Sequence, residues 1–167
     1  MLLTSKDANK LLKQLNDEYS SLQVRESLSK VFVAATIENK DDARPNYDYE
    51  ATSKKLAEIS EKIIKIKHAI NKFNVETIVP EFNKTIDEML VYIPQLTSLK
   101  GKLSIMKDTS EKERYTDRNS SNIIEYQYIN YDLKKVEEDY KKVETELADA
   151  QIALDKINVS KTFEVDL

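Results

Sequence analysis

Two stretches of this chain carry an unbroken 3-4 hydrophobic repeat, and no other feature limits its folding as much. The first is Tyr49, Thr52, Leu56, Ile59, Ile63, Ile66, Ile70 and Phe73. The second is Leu133, Val136, Tyr140, Val143, Leu147, Ala150, Leu154 and Ile157. Steps of three and four average about 3.5 residues, which keeps one seam of a helix turned toward a partner. Neither seam can be satisfied in water. The spacing predicts four long helices in a coiled-coil-like bundle, a mainly α fold, with short extended segments in the connections.

Composition agrees with long helices. Of 167 residues 34% are charged and 40% hydrophobic, with one Gly and three Pro, so helix breakers are scarce. The length fits a single helical domain over 1–167. A net charge of −4 argues against general nucleic-acid binding, which needs surplus Lys and Arg. Cysteine is absent, so no disulfide, thiolate site or cysteine nucleophile exists. The start MLLTSKDANK is far short of a signal-peptide core, and no window approaches the ~18 apolar residues of a membrane span. The expectation is a cytoplasmic protein without membrane contact.

Local signals place the elements. Thr4 or Ser5 caps a first helix whose inner stripe is Leu11, Leu15, Tyr19 and Leu22, with Ala8 and Leu12 beside it. The β-branched cluster Val31, Val33, Thr36 and Ile37 predicts an extended segment or strand. Residues 38–46 read as a solvated loop, and Asp48 as the cap of helix two. Residues 75–83 read as a packed extended connection. Thr85 with Glu88 three residues on is a capping-box pattern that opens helix three. Pro94 falls inside that helix and predicts a kink. Residues 107–122 are the longest polar stretch and read as a loop. The alternation around Ile124, Tyr126 and Tyr128 predicts a strand before helix four, which Asn130 or Asp132 caps. The alternating tail Phe163, Val165, Leu167 predicts a docked extended segment.

Catalytic and cofactor chemistry finds no motif. Gly101 stands alone in a helix, whereas phosphate-cradling loops need several glycines. His68 is the sole histidine, and Lys65 occupies the position where a Glu-x-x-His di-iron pattern wants its Glu. Glu137, Glu138, Asp139, Glu144 and Glu146 alternate with Lys off the seam and read as a solvated face. No catalytic residue, metal ligand or cofactor is expected, and the protein reads as no enzyme. An enzyme working with carboxylates alone is the remote third option.

One polar constellation invites a binding hypothesis. Lys67, Asn71 and Asn74 form a stripe beside the seam of helix two, flanked by His68. Asn is a poor helix former, so the plain explanation is C-terminal capping; the functional one is a pocket wall for a small anionic, nucleotide-like ligand. Arg114 and Arg118, from the polar stretch, would close over such a ligand. Tyr47 and Tyr49 before helix two, and Tyr126, Tyr128 and Tyr131 before helix four, read as buried-edge strand packing, with ligand stacking or a subunit interface as the alternative.

With the helices placed, the layout resembles the septicolysin-like family of small bacterial helical proteins. The resemblance rests on I-N-K-F-N at 70–74 followed by Thr77, T-I-D-E-M-L at 85–90, and L-D-K-I-N at 154–158 before a short tail, over about residues 6 to 167. The chain departs from the family's pattern at Tyr92 and Ile93, where a basic residue is absent, and in having no Trp. The resemblance implies a coiled-coil core and self-association, and no particular activity. The functional expectation is a non-catalytic, oligomeric helical binding or scaffold protein of bacterial or phage type. Sequestration of a small anion between helices or subunits is the alternative.

Overall fold

The computed structural model describes residues 1–115 and 124–167, and the fold is mainly α. Its helices are α1 (Ser5–Ser29), α2 (Tyr49–Glu76), α3 (Ile86–Lys107) and α4 (Leu133–Ser160). Short strands accompany them: β1 (Leu2–Thr4), β2 (Ile78–Val79), β3 (Lys84–Thr85), β4 (Lys112–Tyr115), β5 (Glu125–Tyr128) and β6 (Thr162–Glu164). The chain packs as two compact units, Met1–Thr77 with Lys156–Leu167, and Ile78–Asp155.

In the first unit, the Thr4 hydroxyl caps α1 by accepting the Asp7 N–H at 3.1 Å, and the Asp48 carboxylate caps α2 by accepting the Ala51 N–H at 3.0 Å. Both caps fall where the sequence puts them. The inner stripe of α1 turns to α2: Ala8 is buried, and Leu11, Leu12, Leu15, Tyr19 and Leu22 are half-buried. At the helices' other end the Tyr47 hydroxyl donates to Glu26 at 2.7 Å. That bond to a carboxylate, with burial, pushes the Tyr47 pKa up to about 12. Along α2 the seam residues Ile59, Ile66, Ile70 and Phe73 are buried and Thr52, Leu56 and Ile63 half-buried; only Tyr49, at the first turn, is exposed.

The tail completes this core. β6 pairs antiparallel with β1, Phe163 opposite Leu3, and Val165 just beyond it joins Ala8, Ile66 and Ile70 in one buried cluster. The expected docked tail is present through Val165, with Leu167 exposed, and it pairs with an N-terminal strand that nothing in the sequence announces. Residues 31–37 do not take the strand half of the expectation. They form no strand, and Val33 is 95% exposed. β-branched residues favour a strand only where a pleated neighbour receives them.

In the second unit, β2 and β3 form a tight hairpin with Ile78 opposite Thr85, and Asn83 takes the left-handed conformation at φ 48° that its short amide tolerates. The connection at 75–83 is thus a turn of helix end plus hairpin, with Val79 fully buried. Thr85 and Glu88 make both bonds of a capping box, 3.2 Å from the Glu88 N–H to the hydroxyl and 2.7 Å from the Thr85 N–H to the carboxylate. α3 then runs through Pro94 as one helix, burying Ile86, Met89, Leu96 and Leu103. The α4 seam is buried here too, at Val136, Val143, Leu147, Ala150 and Leu154.

Side chains tie α3 to α4 and to the residues just before it. Lys100 Nζ lies 2.8 Å from Glu144, the Tyr92 hydroxyl donates to Glu146, and the Tyr131 hydroxyl donates to the Met106 carbonyl at 2.7 Å. The Lys100 ammonium holds the Glu144 carboxyl below its usual range, and Glu146 raises the Tyr92 phenol. No helix among the described residues is long and apolar enough to cross a membrane.

Candidate functional site

On α2 the residues that draw attention in sequence divide around the helix. Lys67 and Asn71 are exposed and Asn74 is half-buried, and their spacing sets them along one strip. His68 is exposed and belongs to a depression of about 470 Å³ that opens on a different side of α2. Of the five described residues that the sequence suggests for a ligand site, His68 alone lines it.

Three sets of groups build this depression. Lys65, Lys72 and Glu76 lie along one edge of α2, seven and eleven residues apart, with His68 and Ala69 beside them. The floor is Phe73 and Phe163, whose rings stack with centroids 4.5 Å apart and planes 25° apart. The far wall is Glu164 and Asp166, which share one side of the extended tail because Phe163 and Val165 turn inward. The tail's alternation therefore performs two tasks, anchoring the segment through one set of residues and presenting carboxylates with the other. Ion pairing in this unit lies elsewhere, as between Lys55 and Glu18 at 3.0 Å, and the charged groups of the two walls do not pair across the depression.

Arg114 belongs to the second unit. It is exposed on β4, directly opposite Tyr126 of β5, with Lys112 opposite Tyr128. Residues two apart on a strand share a face, so Lys112, Arg114, Tyr126 and Tyr128 form one cationic, aromatic surface. Lys112 Nζ sits 4.1 Å from the Tyr126 ring centroid and 5.6 Å from that of Tyr128. Arg118 lies outside the described residues. The polar stretch expected as a loop thus contributes a strand, because Glu125–Tyr128 supplies the edge on which Lys112–Tyr115 can pair.

A third feature lies on α3. Leu90, Val91, Pro94, Thr97, Ser98, Gly101 and Ile105 are all exposed, and helical spacing places them on one face. No Lys, Arg, Asp or Glu interrupts that face over a length of about 22 Å. A Cβ added at Gly101 would meet nothing within 4 Å. Packing among the described residues does not require glycine there, although glycine costs a helix about 1 kcal/mol relative to alanine.

Among the described residues no group of three or more His, Asp and Glu side chains is placed to hold a metal ion. Asp139 instead pairs with Lys135 at 3.0 Å and Lys142 at 3.7 Å, and these ammonium groups lower its pKa. Such pairing is ordinary for a solvated helix face.

No family model matches the chain, and no curated protein matches it in sequence. Its fold is similar to the crystal structure of a functionally unknown conserved protein from Corynebacterium diphtheriae. The TM-score is 0.61 at 16% identity, covering 98% of this chain and 100% of the other. At that identity the likeness is one of fold alone.

Proposed function

We propose that this protein is non-catalytic and works as a helical association protein, with α3 of one copy docking on α3 of a second. The uncharged outer face of α3 carries the proposal. In a chain whose residues are 34% charged, a 16-residue helix face without charge is what an interface core looks like. A two-fold axis apposes a surface to itself, and a charged patch would then meet its own sign; an uncharged one does not. Thr97, Ser98 and Gly101 stand at the middle of the strip, where small side chains let two helices approach closely. The resemblance to the septicolysin-like family points to self-association as well. The strip alone, about 22 Å by roughly 10 Å, is smaller than the ~1,200 Å² of total buried area that stable complexes need, so the expected affinity is micromolar.

A two-fold antiparallel pairing of the strip brings position 98 near its own copy. Because the native chain has no cysteine, Ser98→Cys yields a protein with a single thiol. Mild oxidation at about 100 μM is expected to link most of it as dimer on non-reducing gels, while Glu138→Cys, on the exposed face of α4, stays monomeric. Equal crosslinking of the two variants would contradict the proposal.

Capture of a small anion is a second reading, favoured by the cationic, aromatic face around Arg114. A nucleoside triphosphate titrated by calorimetry should bind, and Arg114→Ala should weaken it about tenfold or more, as loss of one charge-assisted hydrogen bond implies. Equal affinity in the variant would remove Arg114 from any such site.

A further inference from the structure

We infer that the depression between α2 and the docked tail binds a small zwitterion with a flat apolar body, of the aromatic amino acid class. Its volume of about 470 Å³ lies within the ~300–1,000 Å³ of small-molecule sites. The half-buried Phe163, stacked on the buried Phe73, gives the floor an aromatic surface for a ring. Both lysines above it, Lys65 and Lys72, come from α2, which also contributes Glu76, while the tail contributes only carboxylates, Glu164 and Asp166.

That arrangement selects the ligand. Among the described residues the walls do not pair with each other across the depression, which leaves each with capacity for hydrogen bonds to a ligand. A ligand with only negative charge would satisfy the lysines and meet Glu76, Glu164 and Asp166 as like charges. A ligand with only positive charge would satisfy the carboxylates and meet the two lysines. A molecule with a carboxylate and an ammonium a few bonds apart answers both walls at once. His68, at the cationic edge, offers a ring N–H to the same carboxylate. The whole site lies within the first unit and does not depend on pairing through α3.

The test is a titration of the full chain, followed by nitrogen-15 amide spectra and calorimetry, with L-phenylalanine and L-tryptophan as probes. Phenylacetate, phenethylamine and glycine serve as controls lacking the ammonium, the carboxylate and the ring. One aromatic amino acid is expected to saturate below about 1 mM, to shift amides of Lys65–Glu76 and Phe163–Asp166, and to bind at least tenfold tighter than every control. Lys65→Ala with Lys72→Ala, and separately Glu164→Gln with Asp166→Asn, should each weaken it about tenfold or more with unchanged helicity. All these positions lie on the surface, so the variants should fold. Absence of shifts with either amino acid at 10 mM (roughly tenfold above the expected Kd), or a single-charge control binding as tightly, would overturn the inference.

Discussion

Ile66→Asp is expected to abolish the fold of the first unit, whereas Ile64→Asp, two residues away on the same helix, leaves it standing. Ile66 is 0% exposed and shares its cluster with Ala8, Ile70 and Val165; Ile64 is 58% exposed. Removing a fully buried isoleucine forfeits about 1.5–3 kcal/mol of burial. Forcing a carboxylate into the same place costs several kcal/mol more, or raises its pKa until it is neutral. Against a total stability of about 5–15 kcal/mol, the sum removes most or all of the folded population. Ile64→Asp, at an exposed site, should stay within roughly 0.5–1 kcal/mol of the parent. Thermal melts followed by far-ultraviolet circular dichroism distinguish the two. Equal melting temperatures for both variants would show that the α2 seam is not the core.

The second large effect belongs to α4. Leu147 is 8% exposed at the centre of that helix's buried stripe, whereas Ile152, five residues on, is 67% exposed. Leu→Ala at such a site costs about 2–5 kcal/mol, and Leu147→Asp should exceed it for the reason given for Ile66. Ile152→Asp should be tolerated. The pair is demanding because hydrophobicity alone would rank the two positions alike. Denaturant titration should find Leu147→Asp unfolded or nearly so in buffer. A midpoint equal to that of Ile152→Asp would refute the placement of the α4 seam.

Periodicity and caps made most of the helical architecture legible. The two seams became the buried stripes of their helices because a 3-4 repeat leaves a helix only one way to hide its apolar residues. Thr4, Asp48 and Thr85 mark helix starts because a side-chain oxygen answers N–H groups that the first turn leaves open. Residues 31–37 misled because strand propensity is a property of a packed, paired segment and no strand pairs with them. β1 was invisible for the converse reason: three residues, Leu2–Thr4, pair only because β6 arrives from the other end of the chain.

Of the candidate sites, less could be read. His68 lines the depression, but beside Lys65 and Lys72 rather than the strip of Lys67, Asn71 and Asn74 that the sequence suggests. The wall that decides between those sides is Glu164 and Asp166, about ninety residues downstream, and local spacing cannot announce it. The uncharged face of α3 was within reach of a helical projection. Positions 90, 94, 97, 101 and 105 all lack charge, but which face of α3 stays exposed is set by the packing of the other face, where Ile86, Met89, Leu96 and Leu103 are buried.

Sedimentation equilibrium from about 1 to 200 μM, a range that brackets a micromolar Kd, tests the α3 association most directly, with the parent chain beside Ile105→Glu. Ile105 is 73% exposed, so its replacement should leave the monomer folded. The account predicts a parent mass that rises with concentration toward twice the 19.3 kDa of one chain. The variant should stay at the single-chain value with unchanged helicity. A parent that remains monomeric across the range, or a variant that associates as tightly as the parent, would contradict it.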